Sequence, residues 1–391
     1  MSTAITFLSG KGGSGKTTLA LGIADLLCKS NIKTLLVDCD LSTNGATYFY
    51  ESQLHEQNMS SACKISSFYN ILYQPEYVGE FIPLNIGTNM DFIPSVSEIS
   101  ESGLTGGRPQ HTDRLAYNLT KFLDWARGDY DVILFDCQAG YSEFLPQLLP
   151  LVDADLFVLE ADSISASAMR SLHLKVGNSL GRARLYQVFN KATPEEFEIY
   201  SKIVGTFFTN IGTLLFDWKI RQAFSRSQVP DFEKTSVQYG LDLCDICKII
   251  FLEKETHRKI AKFSSQLLDK KLEEAESEIR SQLERLNRKA KRVPATVLSL
   301  LTLLTSVLAL CIYYSVISGN AVFAFKYDSF WFMLFIPAVV VLSIFGFIFS
   351  ADDSLHERRE QRRIYQKQLQ KLQEKRFMLK AGIVTPDNST S

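Results

Sequence analysis

A run of glycines and lysines near the start of the chain has the composition and spacing of a phosphate-binding loop. It reads Ser-Gly-Lys-Gly-Gly-Ser-Gly-Lys-Thr-Thr from Ser9 to Thr18. A strand-like apolar run precedes it and a helical pattern follows, which is the context that the P-loop motif requires. Glycines let backbone amides turn toward phosphate oxygens, and the helix amino end adds partial positive charge. The expected phosphate-binding residues are Gly12, Gly13, Ser14, Gly15, Lys16, Thr17 and Thr18.

Three side chains of this loop have different expected roles. Lys16 can reach the β- and γ-phosphate oxygens, and the Thr17 hydroxyl can take a coordination position of Mg²⁺. Thr18 can donate to the α-phosphate. The loop therefore predicts binding of a nucleoside triphosphate together with Mg²⁺.

Acidic residues end two other apolar runs of strand type. Asp38 and Asp40 end the run that starts at Thr34, and Asp136 ends the run that starts at Val132. In open parallel sheets, ligands bind outside the carboxyl ends of the strands. We therefore expect these carboxylates at the same sheet edge as the phosphate loop.

Lys11 places a second cation ahead of the paired glycines. With it, the loop closely resembles the deviant Walker A motif, K-G-G-x-x-K-T-T, of the ParA/MinD family. The resemblance implies a P-loop ATPase whose first lysine reaches across a nucleotide-sandwich dimer to the partner's phosphates. Lys11 would then couple dimerisation to ATP, and a surface lysine that balances local acid is the alternative.

The two acidic runs resemble further elements of that family in kind and order. The first resembles switch I, which implies that Asp40 positions the attacking water and that Asp38 lies near the metal. The second resembles the Walker B strand with switch II, which implies that Asp136 holds the Mg²⁺ shell through water and that the Gly140 amide senses the γ-phosphate. The implied catalytic residues are Lys11, Lys16 and Asp40, and the implied metal-side residues are Thr17, Asp38 and Asp136.

Recognition of the base is expected at the end of another strand-like run. Asn190 resembles the family's adenine-contacting asparagine, and a plain turn residue is the alternative. Thr193 stands where the guanine-selecting pattern N-K-x-D would have Asp. This difference favours ATP over GTP.

Strand-like runs alternate with helical patterns through the first 250 residues, which is typical of a parallel sheet with helices on both faces. The predicted fold class is therefore α/β, and the resemblance implies a P-loop NTPase fold like that of ParA and MinD. A helical stem and a transmembrane helical hairpin are predicted to follow it. Residues 47–89 show no clear period and carry no prediction. Strands are predicted at 4–8, 34–38, 90–94, 132–136, 156–160, 185–190 and 213–216, and helices at 16–30, 112–127, 163–180, 194–209 and 237–251.

The chain changes character after residue 253. Residues 254–292 are densely charged, with apolar residues at nearly heptad spacing, which predicts an amphipathic or coiled-coil stem helix. No Asp, Glu, Lys or Arg occurs at 293–325 or at 329–351, and a spanning helix takes about 20 apolar residues. The predicted organisation is an ATPase domain at 1–253, a stem at 254–292, two transmembrane helices within 293–350 (about 294–317 and 329–350), and a basic cytosolic helix with a disordered tail at 351–391.

Charge predicts the topology of this anchor. Lys and Arg cluster before the first uncharged run and after the second, whereas the connecting loop carries only Lys326 and Asp328. By the positive-inside rule both termini are cytosolic, on a multi-pass protein of the inner (cytoplasmic) membrane. The stem and the last helix could pair antiparallel or remain two separate solvated helices.

The two halves of the chain differ in charge and therefore in expected partners. Residues 1–253 hold 20 Lys and Arg against 29 Asp and Glu, and residues 254–391 hold 22 against 14. An acidic head is a poor non-specific DNA binder, because that affinity comes mainly from cationic side chains. The basic tail suits an anionic membrane face. The expected partners are a second copy or a higher homo-oligomer, the membrane and an unidentified protein.

The cysteines predict reduced thiols, and one pair has metal or redox spacing. Cys244 and Cys247 lie three residues apart, which places both on one face of a helix. Two core thiols, a zinc shared between two subunits and redox chemistry are the alternatives.

These patterns favour an ATP-driven dimerisation switch that hydrolyses ATP by positioning and electrostatics. One alternative is a non-hydrolysing, ATP-binding membrane scaffold. Another is phosphotransfer of the kind catalysed by bacterial tyrosine kinases, which use a related loop and a two-span anchor. In those kinases the spans come first and the tail is rich in tyrosine, whereas this tail holds only Tyr365 past the second run.

Overall fold

The computed structural model describes residues 2–60, 64–74, 81–97, 112–193, 195–196, 198–200, 208–231, 236–317 and 356–381, without the side chains of 60, 112–113 and 289–317. The chain divides into two compact units, Met1–Leu268 and Asp269–Ser391. The phosphate loop and the acidic strand ends all lie in the first unit.

The first unit contains an eight-stranded sheet of order β3-β4-β2-β5-β1-β6-β7-β8. All neighbouring strands are parallel except the edge pair β3 and β4. The mostly parallel sheet confirms the predicted α/β class. The strands are β1 (Thr3–Leu8), β2 (Thr34–Cys39), β3 (Leu84–Gly87), β4 (Met90–Ile93), β5 (Val132–Cys137), β6 (Ala154–Glu160), β7 (Arg184–Asn190) and β8 (Thr209–Leu214).

Helices cover both faces of this sheet, because its central strands are apolar on both sides. On one face, α1, α8 and the start of α9 enclose a core that includes Leu243 and Ile260. On the other, α3, α4, α5 and α6 enclose a core that includes Phe122 and Met169. The helices are α1 (Lys16–Lys29), α2 (Glu51–Ser60), α3 (Phe68–Tyr73), α4 (Thr112–Asp129), α5 (Leu145–Leu148), α6 (Ser163–Val176), α7 (Trp218–Ser225), α8 (Val237–Ile250), α9 (Lys254–Ile317) and α10 (356–380).

The last strand differs from its prediction. The apolar run at 213–216 indicated a strand there, but β8 begins at Thr209 and ends at Leu214. Pairing with β7 decides this register, since Tyr186 aligns with Thr209 and Asn190 with Leu214. Phe216 lies beyond the sheet and is 50% exposed. The helix predicted at 194–209 is therefore wrong at its end, and residues 201–207 lie outside the described part of the chain.

The start of α9 belongs to the first unit. Ile260, Phe263 and Leu267 are buried in the same core as α1 and α8, and Lys259 donates to the Asn31 carbonyl at 3.1 Å. The compact unit therefore extends to Leu268, past the predicted boundary at 253.

In the second unit, α9 and α10 pair in antiparallel fashion, so the paired arrangement is the one observed. Arg376 holds the pair through an ion-pair network with three carboxylates of α9. Its partners are Asp269 at 2.6 Å, Glu273 at 2.9 Å and Glu276 at 3.3 Å, while Lys380 meets Asp269 and Gln373 meets Glu276.

Among the helices in the described ranges, none is both long enough and apolar enough to cross a membrane. The predicted two-span anchor is therefore not supported by this structure. The run at 329–350 lies outside the described residues. Of the run at 294–317 only the backbone is described, as the last part of α9.

Candidate functional site

The phosphate loop joins β1 to α1 at the carboxyl edge of the sheet. Gly15 caps α1 with a left-handed backbone of φ 90°, and Gly13 is left-handed at φ 83°. Glycine adopts these angles without steric cost. No side chain caps the helix, so its first amides face the space where an anion would lie.

Lys16 lies inside this loop. Its side chain is only 7% exposed, and its Nζ donates to Ser9 Oγ at 3.0 Å. Ser9 Oγ in turn donates to the Lys11 carbonyl at 2.8 Å. The loop therefore holds the Lys16 ammonium through one neutral hydroxyl, which a phosphate oxygen could replace.

Asn190 supports the loop from the end of β7. Its Nδ2 donates to the Ser14 carbonyl at 2.9 Å. A Cβ on Gly15 would lie 2.0 Å from that nitrogen, so the two residues pack without space between them. The side chain expected to contact the base thus has a described role in shaping the loop.

Lys11 is held by two carboxylates in this monomer. Its Nζ lies 2.9 Å from Glu160 and 2.9 Å from Asp162. Hydrogen bonds to Glu160 and Asp162 raise the pKa of Lys11, so it stays cationic. Lys191 also pairs with Glu160, at 2.8 Å, and donates to the Gly13 carbonyl. Glu160 thus joins both lysines beside the loop.

Asp38 and Asp136 lie side by side at the ends of neighbouring strands. They are register partners in the β2–β5 ladder and are at most 1% exposed. Burial raises the pKa of each carboxyl, and their mutual repulsion acts in the same direction for Asp136. Neither Asp136 oxygen accepts a hydrogen bond of normal geometry from a described residue. Nearby Lys16 and Thr17 lower that pKa only in part.

This arrangement fits Mg²⁺, which prefers carboxylate, hydroxyl and water oxygens. Buried oxygens without a partner are costly unless an unseen ligand satisfies them. Thr17, Asp38 and Asp136 are the residues that would hold the ion. Their predicted metal role is compatible with the geometry and remains a prediction.

Asp40 is engaged within its own loop. Its carboxylate accepts bonds from the amides and hydroxyls of Ser42 and Thr43 at 2.5–3.1 Å. Burial would raise the pKa of Asp40, but the bonds from Thr43 and Ser42 outweigh it and lower the pKa. Asp40 is therefore an ionised residue that folds the loop after β2. No described contact tests its predicted role in positioning water.

The Gly140 amide is also engaged. It donates to the Ser9 carbonyl at 2.8 Å, and Gly140 is left-handed at φ 80°. The segment after β5 is thus tied to the phosphate loop itself. A γ-phosphate sensed by this amide would have to replace the Ser9 carbonyl.

A cavity of about 650 Å³ opens beside the loop, within the usual range for small-ligand sites. It runs from Lys16 and Thr17 past Asn190 to residues 215–217 and 220–221. Asp217 caps α7 there by accepting from the amides of Lys219 and Ile220. The segment that follows β8 and the first turn of α7 therefore line the far end of the site.

The cysteine pairs lie in the core. Cys39 and Cys137 are register partners directly after the two aspartates, and both are buried. Cys244 and Cys247 are buried on α8, and burial raises the pKa of both thiols, to about 12 for Cys244. In the described ranges, no group of three or more His, Cys, Asp or Glu is placed to hold a metal.

Comparison with known proteins agrees with this geometry. The AAA domain family matches residues 2–178. The chain is 31% identical over 140 residues to the chromosome-partitioning ATPase Soj of Treponema pallidum, which covers 35% of this chain and 49% of Soj, so it spans about half the length of that relative. It is 22% identical over 237 residues to the chromosome partitioning protein ParA of Caulobacter vibrioides, which covers 59% of this chain and 85% of ParA.

Solved structures show the same fold. A plasmid partition protein of Borrelia burgdorferi bound to AMPPNP superposes with a TM-score of 0.52 at 20% identity, covering 64% of this chain and 100% of that protein. The septum site-determining protein MinD of Pyrococcus horikoshii, in complex with Mg-ADP, gives 0.50 at 18% identity, covering 66% and 99%. The N-terminal unit therefore has the fold of these two proteins.

The ligands of these two proteins, AMPPNP and Mg-ADP, agree with the ATP and Mg²⁺ that the sequence predicts here. Sequence reasoning missed Glu160, Asp162 and Lys191, although all three surround Lys11 or the loop. The only sequence signal was their position at the carboxyl ends of β6 and β7, the edge at which ligands bind.

Proposed function

We propose that this chain is an ATP hydrolase that works as an ATP-dependent dimerisation switch. The observation that carries the proposal is the convergence of the phosphate loop with the buried pair Asp38 and Asp136 beside a cavity of nucleotide size. Aligned strand ends bring these groups together, and no covalent nucleophile is needed, because phosphoryl transfer depends on positioning and charge.

The residues of the site divide the work. Thr17, Asp38 and Asp136 would hold Mg²⁺, which supplies charge neutralisation on the phosphates when bound. Lys16 exchanges its Ser9 contact for phosphate oxygens. Asp40 orders the loop that faces the γ-phosphate side. Each contribution strengthens as nucleotide excludes water from the edge of the sheet.

Lys11 supplies the link to dimerisation. In the monomer it is bound to Glu160 and Asp162, so it must leave both carboxylates before it can reach a partner's phosphates. Its exposed fraction of 30% shows that solvent already competes for these pairs, and such ion pairs contribute at most about 1 kcal/mol each. The phosphates of ATP bound to a second copy can therefore displace Glu160 and Asp162 from Lys11.

The test compares ATP turnover and oligomeric mass for the parent, Lys11→Ala and Lys16→Ala, with Lys175→Ala as a surface-lysine control. The parent should hydrolyse ATP slowly and dimerise with ATP. Lys16→Ala should lose nucleotide binding. Lys11→Ala should still bind ATP but remain monomeric and lose turnover. A Lys11→Ala protein that dimerises with ATP like the parent would contradict the switch.

We also propose that the switch is fixed to the cytosolic face of a membrane through the uncharged runs at 293–325 and 329–351. Support comes from their length and the basic residues on both sides. The full chain should sediment with membranes and resist an alkaline wash, and a chain lacking 294–350 should not. Release of the full chain by the wash would exclude an integral anchor.

A non-hydrolysing scaffold is the second candidate, because one observation favours it. The Asp40 carboxylate, which should position water, is occupied by four donors from Ser42 and Thr43. If the parent binds ATP without hydrolysing it, and its oligomeric mass is the same with and without nucleotide, the result supports a scaffold and contradicts the switch. A signal to a protein partner would then have to arise from assembly alone.

A further inference from the structure

A chain of buried polar groups connects the end of β2 to the loop after it. Asp38 Oδ2 accepts from the Thr47 hydroxyl at 2.7 Å and from the Thr47 amide at 2.8 Å. Thr47 Oγ1 lies 2.9 Å from Ser95 Oγ and accepts from the Ser95 amide at 2.9 Å. Ser95 Oγ then donates to Asn44 Oδ1 at 2.7 Å. The four residues are at most 1% exposed.

The far end of this chain holds a turn of the switch I loop. Asn44 has a left-handed backbone of φ 51°, a conformation that asparagine adopts more readily than most residues. Its amide donates to the Asp40 carbonyl at 2.9 Å. The loop at Asn44 is therefore held by one backbone bond and by the side-chain bond from Ser95.

The loop position matters because the next residue faces the phosphate loop. A Cβ on Gly45 would lie 3.2 Å from Thr17 Oγ1, so the backbone at Gly45 passes directly over that hydroxyl. Asn44 thus fixes the loop beside Thr17, while Thr47 fixes the Asp38 carboxylate. One connected set of bonds sets the placement of both groups.

We infer that Thr47 and Ser95 are positioning residues that orient Asp38 and the switch I loop together around the magnesium position. The inference rests on the proposed function, because Asp38 and Thr17 are its metal-side residues. Neither Thr47 nor Ser95 is expected to touch nucleotide. Supporting hydroxyls of this kind, when removed, typically cost roughly 10–100-fold in metal affinity.

The experiment uses two substitutions of Thr47 in the full chain. Thr47→Val keeps the shape and removes the hydroxyl, whereas Thr47→Ser keeps the hydroxyl and removes a methyl group. Two quantities are measured: amide hydrogen exchange of residues 40–47 without nucleotide, and the Mg²⁺ concentration at which a fluorescent ADP analogue is half bound. Neither readout requires ATP turnover, so failure of the proposed hydrolysis and failure of this inference are distinguishable.

Thr47→Val should speed exchange in the loop and raise the Mg²⁺ midpoint roughly tenfold. Thr47→Ser should stay within about twofold of the parent, since the retained hydroxyl can still form the hydrogen bonds to Asp38 and Ser95. Equal losses in the two variants would overturn the inference, because the effect would then not depend on the hydroxyl that Thr47→Ser retains. So would a Thr47→Val protein with the parent's exchange and midpoint.

Ser95→Ala provides a second route if Thr47→Val does not fold. It cuts the bond to Asn44 but leaves both Thr47 bonds to Asp38, so exchange should rise at residues 42–46. The matched control is Ser97→Ala, two residues along, whose hydroxyl accepts from Asn70 at 3.1 Å instead. Faster loop exchange in Ser95→Ala alone supports the inference, and equal effects of both serine variants would overturn it.

Discussion

Gly15 is confined by its backbone and by its neighbour at the same time. Its φ of 90° disfavours any side chain, and Asn190 Nδ2 occupies the place of a Cβ at 2.0 Å. Asn190 in turn holds the Ser14 carbonyl. The first turn of α1 and the end of β7 are therefore fitted to each other through one glycine.

Gly15→Ala should lower nucleotide affinity at least tenfold, because a left-handed L-residue costs roughly 1–2 kcal/mol and the new methyl group displaces Asn190. Titration with a fluorescent ADP analogue measures this. Gly128→Ala, where no atom lies within 4 Å of the new Cβ, is the control. Asn190→Ala alone is the reference: in its background Gly15→Ala should cost less affinity than in the parent, and an equal cost would mean that the clash is unimportant.

Asp155 is a buried carboxyl that the site does not use. It is fully buried, accepts from the Thr6 hydroxyl and leaves Oδ2 without a described partner. Burial raises its pKa from 3.8 to about 7, and the Thr6 bond opposes this only in part. A raised folded-state pKa means that stability is present below the unfolded value and is lost as pH rises through the folded value.

The free energy of unfolding should therefore fall between about pH 4 and pH 7, by up to about 4 kcal/mol from this residue. Asp155→Asn should remove that part of the pH dependence. The unfolding free energy of the variant, relative to that of the parent, should therefore be higher at pH 8 than at pH 5. Urea unfolding at both pH values measures the difference. Asp153→Asn, at a half-exposed carboxylate paired with Arg127, is the control. A difference between parent and Asp155→Asn that is the same at both pH values would contradict the assignment.

At the scale of elements, α9 contributes to two units in succession. Its first residues bury Ile260, Phe263 and Leu267 against the core of the first unit, and its later residues carry the carboxylates that meet Arg376. The sequence pattern gave no sign of this division, because the charged stem begins before the core ends.

A chain truncated after Leu268 should fold, whereas one truncated after Glu253 should lose about 5 kcal/mol of unfolding free energy. Each of the three buried side chains contributes roughly 1.5–3 kcal/mol, reduced by burial already present in the unfolded chain. Urea unfolding of both proteins measures the loss. Equal midpoints would mean that the start of α9 is only a solvated stem.

The sheet was predictable where the signal was local. Six of the predicted strands overlap observed strands closely, because buried parallel strands are continuous apolar runs. The edge strand β3 and the helices α2 and α3 were not predicted, since residues 47–89 have no clear period. The site was also predictable only where the signal was local, as at the glycines of the loop and the strand-end aspartates. Glu160, Lys191 and Ser95 contact residues that are distant in sequence and become neighbours only through the strand order.

At the scale of the whole molecule, the net charge of the first unit argues against the DNA binding that the names of similar proteins suggest. Soj and ParA are named for chromosome partitioning, yet residues 1–268 of this chain hold 24 Lys and Arg against 30 Asp and Glu. Non-specific DNA affinity grows with the number of phosphates that cations neutralise. An acidic domain has few cations to offer for that purpose.

A chain truncated after Leu268 should therefore bind duplex DNA with a Kd weaker than about 10⁻⁴ M at roughly physiological salt, with or without ATP. Fluorescence anisotropy of a labelled duplex measures this. Micromolar binding that weakens steeply with added salt would show that a basic surface forms in spite of the net charge, for instance on an ATP dimer.

The register of β2 and β5 places two thiols at the centre of the sheet. Cys39 and Cys137 face each other across that pair of strands, directly after Asp38 and Asp136. Burial raises the pKa of the Cys39 thiol well above its usual value, and only a thiolate attacks an alkylating reagent. Both sulfurs are buried, so an alkylating reagent can label them only when the centre of the sheet opens. The labelling rate under native conditions therefore measures that opening. A ligand that holds the two aspartates together should slow this labelling.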